Sequence, residues 1–334
     1  MVTMAEASQT FRGWKRPSGA LGIRRHFLVI PSVVCAAQAA RTVAEGAPGA
    51  VAIEHQHGCA QLGGDAHLTE QVLTGLGTHP NVAGTLVVSL GCETVQGVAL
   101  HRSIAGRGQR AEFVGIQQSG GTIAAIAAGR EALERLRNGA ASDPEVTLTW
   151  ADLRVGIEAA WLGIPPAQAR VFSEVIDRLL KAGATVMQAV SAGRDGPDPR
   201  PTQVAYGSAG VAPRDATPLP YATPPAGRGA FFMEAPRSRI AQKTGLAAAG
   251  AHVILSPLVE GLPAGCPVAP VVHVGIAPHA RPFAGDVDVM LEDLPSAGAA
   301  GAVVAALGRV CLEETALEAL GDFEMAIHRI APTM

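Results

Sequence analysis

The sequence predicts an α/β fold built from two parallel-sheet domains with helices on both faces. Three observations carry that prediction. Short, nearly continuous apolar runs alternate with helical patterns along most of the chain, which is how strands buried on both faces of a parallel sheet read. A small, polar stretch at residues 138–144 interrupts the alternation, and the same pattern resumes beyond residue 150. The 334 residues are 48% hydrophobic, enough for two cores, and the positive mean hydropathy excludes general disorder.

Each element follows from its local pattern. Residues 1–19 are polar with mixed charge and read as a flexible arm. The first domain, 20–140, has strands at 27–30, 50–54, 84–89 and 112–116. Its helices are placed at 36–45, 68–76 and 121–137. The second domain, 150–330, has strands at 153–157, 185–190, 230–234, 252–256 and 271–274. Helices are expected at 166–180 and 240–249, with one or two more across 297–320. Between 193 and 229 lie eight prolines and six glycines, which reads as a long, poorly ordered loop.

Composition limits the function. A net charge of −3 without a Lys/Arg cluster argues against nucleic acid and against an anionic membrane surface. No apolar run is long enough to span a bilayer. Arg24-Arg25 ahead of the apolar residues 26–40 has the look of a twin-arginine export signal, but Pro31 interrupts the segment and a β-α-β pattern continues it. A buried strand is the simpler reading. The five cysteines, Cys35, Cys59, Cys92, Cys266 and Cys311, are odd in number and widely spaced, with no Cys-x-x-Cys. They form neither a disulfide framework nor a zinc ribbon, and a reducing cytoplasm is expected.

Chemistry concentrates between His55 and Glu93, just beyond predicted strands, and the carboxyl ends of parallel strands are where ligands bind. His55 and His57 are two residues apart and share a face, and Cys59 follows across Gly58. Two imidazoles with a thiolate or carboxylate can hold a divalent cation, and one imidazole can act as a general base. Hydrogen-bonded loop histidines would give the same pattern. Cys92-Glu93 follows Gly91 at another strand end, as a buried thiol and exposed acid or as half of a Cys-His nucleophile pair. Gly120-Gly121-Thr122 opens a helix, where free N–H groups favour a substrate carboxylate; a tight turn is the plain alternative. The candidates are His55, His57 and Glu93 for proton transfer; Gln117, Gly120, Gly121 and Thr122 for the carboxylate; and His57, Cys59, Asp65 and Cys92 for a metal.

These motifs, in this order, resemble the altronate/galactarate dehydratase family, in its large C-terminal region. The resemblance rests on Gly13-Trp14-Lys15-Arg16-Pro17, Ile30-Pro31-Ser32-Val33-Val34-Cys35, His57-Gly58-Cys59-Ala60-Gln61, His79-Pro80-Asn81-Val82, Leu90-Gly91-Cys92-Glu93 and Gly120-Gly121-Thr122. Phe232-Met233-Glu234-Ala235-Pro236 and Thr244-Gly245-Leu246-Ala247-Ala248-Ala249-Gly250 extend it. It implies a cytoplasmic hydro-lyase that converts a sugar acid to a 2-keto-3-deoxy acid with a divalent metal, commonly Fe2+. Related members eliminate sulfite from sulfolactate. It also implies a small β-rich partner subunit, and a homo-oligomer is expected. The second half departs from the family pattern. Where a Cys-Gly-Gly-Ser-Asp block is usual, the chain has Glu158-Ala159-Ala160-Trp161, and Leu258-Val259-Glu260-Gly261 replaces Thr-Gly-Arg-Gly. A non-catalytic binding or regulatory subunit is therefore the rival reading, and a cysteine hydrolase ranks third.

Overall fold

The computed structural model describes residues 9–159, 164–190, 216–293 and 297–329. The chain forms two compact units. One comprises Gly13–Val146 with the segment from Met325 onward; the other comprises Thr147–Glu324 with the segment up to Arg12.

The first unit is built on a four-stranded parallel sheet: β3 (His26–Pro31), β4 (Ala50–Ala52), β5 (Val82–Ser89) and β6 (Ala111–Gly115), in the order β4-β3-β5-β6. Every residue of β5 is buried, which is why the strand is apolar without alternation. On one face, α1 (Ala37–Ala44) and α4 (Thr122–Ala140) bury Ala39, Val43, Leu133 and Leu136 against Phe27, Val29, Leu86 and Val88. Elsewhere α2 (Gly63–Gly77) packs so closely that a Cβ on Gly77 would stand 2.6 Å from Ile104 of α3 (Gly97–Gly106) and 3.2 Å from Ile30 of β3. Because all four strands are parallel, the loops leaving Pro31, Ala52, Ser89 and Gly115 emerge along one edge.

The second unit holds a seven-stranded parallel sheet, order β10-β11-β9-β8-β12-β13-β14. Its strands are β8 (Arg154–Ile157), β9 (Thr185–Val190), β10 (Thr217–Leu219), β11 (Ala230–Glu234), β12 (Val253–Leu258), β13 (Val271–Gly275) and β14 (Val289–Met290). The helices α5 (Pro166–Lys181) and α7 (Ala299–Val310) pack on each other, while α6 (Arg239–Ala248) lies against β8, β9 and β12. A short α8 (Ala316–Leu320) closes the helical C-terminal region with a Thr315–Glu318 capping box.

Three expectations change. Within the expected arm, residues 10–15 form strand β1 (Thr10–Lys15), because Phe11 is an apolar anchor, 1% exposed and packed edge-on against Trp150 at 4.8 Å. β1 pairs antiparallel with β2 (Leu21–Gly22) in a small sheet that also contains β7 (Glu145–Thr149). Within the expected loop at 193–229, residues 217–219 form β10, aligned in parallel with Phe231–Met233 of β11. Residues 193–215 of that loop lie outside the described residues. The polar stretch 138–144 is anchored rather than loose. Asp143 is buried between Arg16 Nη1 at 3.1 Å and Arg110 Nη2 at 2.6 Å, and the chain passes to the other unit within β7.

Candidate functional site at the edge of the first sheet

The loops after β3, β4 and β5 are tied into one surface. Val34 N–H donates to His57 O at 3.0 Å, and Thr94 and Val95 N–H donate to Gly58 O at 2.9 and 3.2 Å. Gly58 makes this possible. Its φ is +93°, and a Cβ there would stand 2.1 Å from Ser32 O, so only glycine allows the close approach. Glu93 bridges the same loops: Ser32 Oγ donates to Oε1 at 2.9 Å, Gly91 N–H to Oε2 at 2.6 Å and Gly97 N–H to Oε1 at 3.3 Å. Burial alone would raise the Glu93 carboxyl. The N–H groups of Gly91, Glu93 and Gly97 and the Ser32 hydroxyl outweigh it and hold the group below its ordinary range. Glu93 is therefore a buried carboxylate (3% exposed) that clamps the loop after β3 to its own loop after β5, with a favourable position at the start of α3.

The two histidines have opposite kinds of partners at their ring nitrogens. Nδ1 of His55 accepts the N–H of His57 at 3.2 Å, so Nε2 carries the proton and donates to Pro31 O at 2.7 Å. In His57, Nδ1 faces the Gln61 amide nitrogen at 3.1 Å and Nε2 faces Ile327 O at 3.2 Å. Gln61 is held in turn by Gly58 N–H and Thr69 Oγ1, both donating to Oε1 at 3.0 Å. The rings lie nearly parallel, with centroids 6.2 Å apart and 13° between planes. Burial pushes His55 down to about 4, opposed by the Pro31 carbonyl. Burial and then the Arg329 charge lower His57, while the Ile327 carbonyl and Asp65 oppose them. Both are neutral imidazoles at neutral pH, the state a base requires.

The expected metal set is not assembled. Among the described residues no group of three or more His, Cys, Asp or Glu side chains is placed to hold a metal ion, and both ring nitrogens of His57 are engaged. Asp65 sits in the first turn of α2, near enough to influence His57, while Cys59 and Cys92 are exposed. Two main-chain amides of the turn expected to bind a carboxylate are already engaged. Gly120 N–H is used by Gln117 O at 3.2 Å and Gly121 N–H by Ile116 O at 2.9 Å. The amides without an intrahelical acceptor are those of Thr122, Ile123 and Ala124 in the first turn of α4. Gln117 lies over Gly91, where a Cβ would stand 2.4 Å from its Oε1.

Ser32, Cys35 and Gln61 stand in the sequence only as members of the motifs that carry the resemblance, with no role attached to them. In the other unit the sequence showed Glu158 but not its partners. Glu158 is paired with Arg239 Nε, its Oε2 accepts from Ser256 Oγ at 2.7 Å, and Arg239 Nη2 donates to Ser256 Oγ at 2.9 Å. Lys243, 2% exposed, donates to Ala264 O at 2.9 Å, and burial lowers its pKa.

Comparison with known proteins agrees with the order of these motifs. Residues 13–141 match the family description "D-galactarate dehydratase/Altronate hydrolase, second domain". Residues 215–330 match "D-galactarate/Altronate dehydratase, C-terminal". Altronate dehydratase of Bacillus subtilis is 28% identical over 162 residues, 45% of this chain and 32% of the relative. Altronate dehydratase of Escherichia coli is 31% identical over 156 residues, 43% of this chain and 31% of the relative. (2R)-sulfolactate sulfo-lyase subunit beta of Chromohalobacter salexigens is 29% identical over 182 residues, 54% of this chain and 46% of the relative. The chain thus matches less than half the length of each of these relatives.

Proposed function

The chain belongs to the D-galactarate/altronate dehydratase family, and we propose that it is the large subunit of a hydro-lyase acting on a sugar acid or related hydroxy-carboxylate. The observation that carries this reading is a neutral His57 on the same sheet edge as the open first turn of α4. In the proposed reaction His57 Nδ1, released by Gln61, takes the proton α to the carboxylate. The C–H electron pair becomes the new double bond, and the β-hydroxyl leaves with its bonding pair, taking a proton from solvent to depart as water. The enol then tautomerises to a 2-keto-3-deoxy acid. β4 and β6 are two strands removed from direct pairing, on the order of 14 Å apart. In this reading the Thr122 turn takes the end of the substrate remote from the proton being moved. No step is routed through Fe2+, for which the expected ligands are not gathered.

The sulfo-lyase relative supports a variant in which sulfite is the leaving group and a small β-rich subunit completes the enzyme. The ion-paired Glu158–Arg239 cluster supports the rival, a non-catalytic binding subunit, because its charged groups are already satisfied by each other. The test is turnover of altronate, galactarate and (2R)-sulfolactate by the purified chain, alone and with a small β-rich partner, in anaerobic buffer. Formation of a 2-keto-3-deoxy acid supports the hydro-lyase, and sulfite release supports the sulfo-lyase. Saturable binding of these acids without turnover, under all conditions, moves the binding subunit ahead. Homo-oligomerisation and a reducing cytoplasmic setting belong to the same proposal. Among the described residues no helix is long and apolar enough to cross a membrane.

A further inference from the structure

Cysteine is among the residue types most often buried, yet three of the five here are exposed, while Cys266 and Cys311 are buried. The exposed three are not scattered. Cys35 follows β3, Cys59 follows β4 and Cys92 follows β5, and these three strands are neighbours in one parallel sheet. The loops that carry them are bonded to each other beside each thiol. Val34, next to Cys35, donates to His57 O at 3.0 Å. Gly58, next to Cys59, accepts from Thr94 at 2.9 Å. Glu93, next to Cys92, accepts from Ser32 at 2.9 Å. Bonded neighbours and adjacent strands place the three loops side by side along one sheet edge.

We infer that Cys35, Cys59 and Cys92 are the protein ligands of an iron–sulfur cluster. A single ion demands ligands that converge on one point, and no such group exists among the described residues. A cluster spreads its iron atoms over separate corners, so each thiolate can come from a loop of its own, and Cys35, Cys59 and Cys92 lie on three neighbouring loops. Each cysteine gives up its thiol proton on ligation. Three thiolates leave one corner of a four-iron cluster without a protein ligand, open to a substrate oxygen. That is compatible with a lyase but does not require one.

The experiment is anaerobic reconstitution of the full chain with ferrous iron and sulfide, followed by removal of unbound reagents. Iron and acid-labile sulfide are then assayed, and cysteine alkylation is mapped by mass spectrometry. The expected result is about four irons and about four sulfides per chain. Cys35, Cys59 and Cys92 should be protected from alkylation together in the wild type, which needs no variant to fold. Cys35→Ser, Cys59→Ser and Cys92→Ser should each lose most of the labile sulfide, and Cys266→Ser should keep it. Iron bound without labile sulfide, no uptake, or protection of a different set of cysteines overturns the inference. Cluster assembly without turnover would count against the lyase reading alone, and turnover without labile sulfide against the cluster alone.

Discussion

The main-chain N–H of His57 donates to Nδ1 of His55 at 3.2 Å, and that one bond separates the roles of two histidines that look equivalent in the sequence. It fixes the His55 proton on Nε2, where Pro31 O takes it at 2.7 Å. His55 thereby fastens the end of β3 to the loop after β4, both buried. His57 meets only a side-chain amide at Nδ1, which a substrate can displace. His55→Ala should therefore lower stability by about 1–3 kcal/mol, because a buried acceptor and donor are left unmet. His57→Ala should cost less in stability and lower turnover by about 10²–10⁴-fold, the usual worth of a general base. Urea unfolding and steady-state rates on both variants check this. Equal losses of stability with unchanged turnover in both would make the pair purely structural.

Gly58→Ala should be more damaging than most glycine replacements. The new Cβ would meet Ser32 O at 2.1 Å and Val33 Cα at 2.8 Å, both backbone, at a φ of +93°. Neither neighbour can swing aside as a side chain would, so the loop must move, at a cost of at least about 1–3 kcal/mol. A lowered melting temperature is expected, together with faster amide exchange at Thr94 and Val95, whose N–H groups bond Gly58 O. A variant with wild-type melting and exchange would show that the three loops are not locked together there.

What the sequence made legible was what depends on local pattern. β3 and β5 were readable because burial on both faces removes alternation. α3 was not, since Gly97 and Gly106 bound it and no capping side chain marks its start. β1 was taken for an arm because its anchor, Phe11, needs Trp150 from far along the chain to make sense. The histidine site was visible as a cluster of residue types, but the partners that decide its chemistry are backbone oxygens of Pro31 and Ile327. Carbonyls leave no mark in a sequence. Glu158 was visible and its role was not, because Arg239 and Ser256 come from a helix start and a strand that only the fold brings to it.

Thr122→Pro tests the carboxylate site without disturbing the helix. Thr122 is the first residue of α4, and proline is well tolerated there because that N–H lacks an intrahelical acceptor. Gly121 has the positive φ of 127° that glycine tolerates, and its ψ of 175° keeps it out of the helical region that a following proline disfavours. The substitution removes two donors, the Thr122 N–H and its side-chain hydroxyl. If the first turn binds a carboxylate, KM for a six-carbon diacid should rise about tenfold or more, the worth of a hydrogen bond to a charged group. The melting temperature should be unchanged. An unchanged KM for every acid would leave the turn without a ligand role.

The second unit offers a pH test of its buried cluster. His273 is 1% exposed, and its Nε2 accepts the N–H of Ala264 at 3.2 Å. Burial, then the charges of Lys243 and Arg239, push its pKa down to about 3. An unfolded histidine takes up its proton near pH 6.5. Between those two values the unfolded chain binds a proton that the folded chain refuses, so stability rises with pH across the window. The contribution is complete above about pH 6.5 and is lost as pH falls toward 3. His273→Gln keeps an oxygen able to accept the Ala264 N–H but does not titrate. Asp288, whose Oδ2 accepts the His273 N–H and whose pKa burial raises, is common to both proteins and cancels in their difference. Urea unfolding of the two proteins between about pH 7 and 4.5 should show the wild-type advantage shrinking on acidification. The slope approaches about 1.4 kcal/mol per pH unit once the unfolded histidine is mostly protonated. Stability curves that run parallel across that range would mean that His273 is free to take a proton in the folded unit.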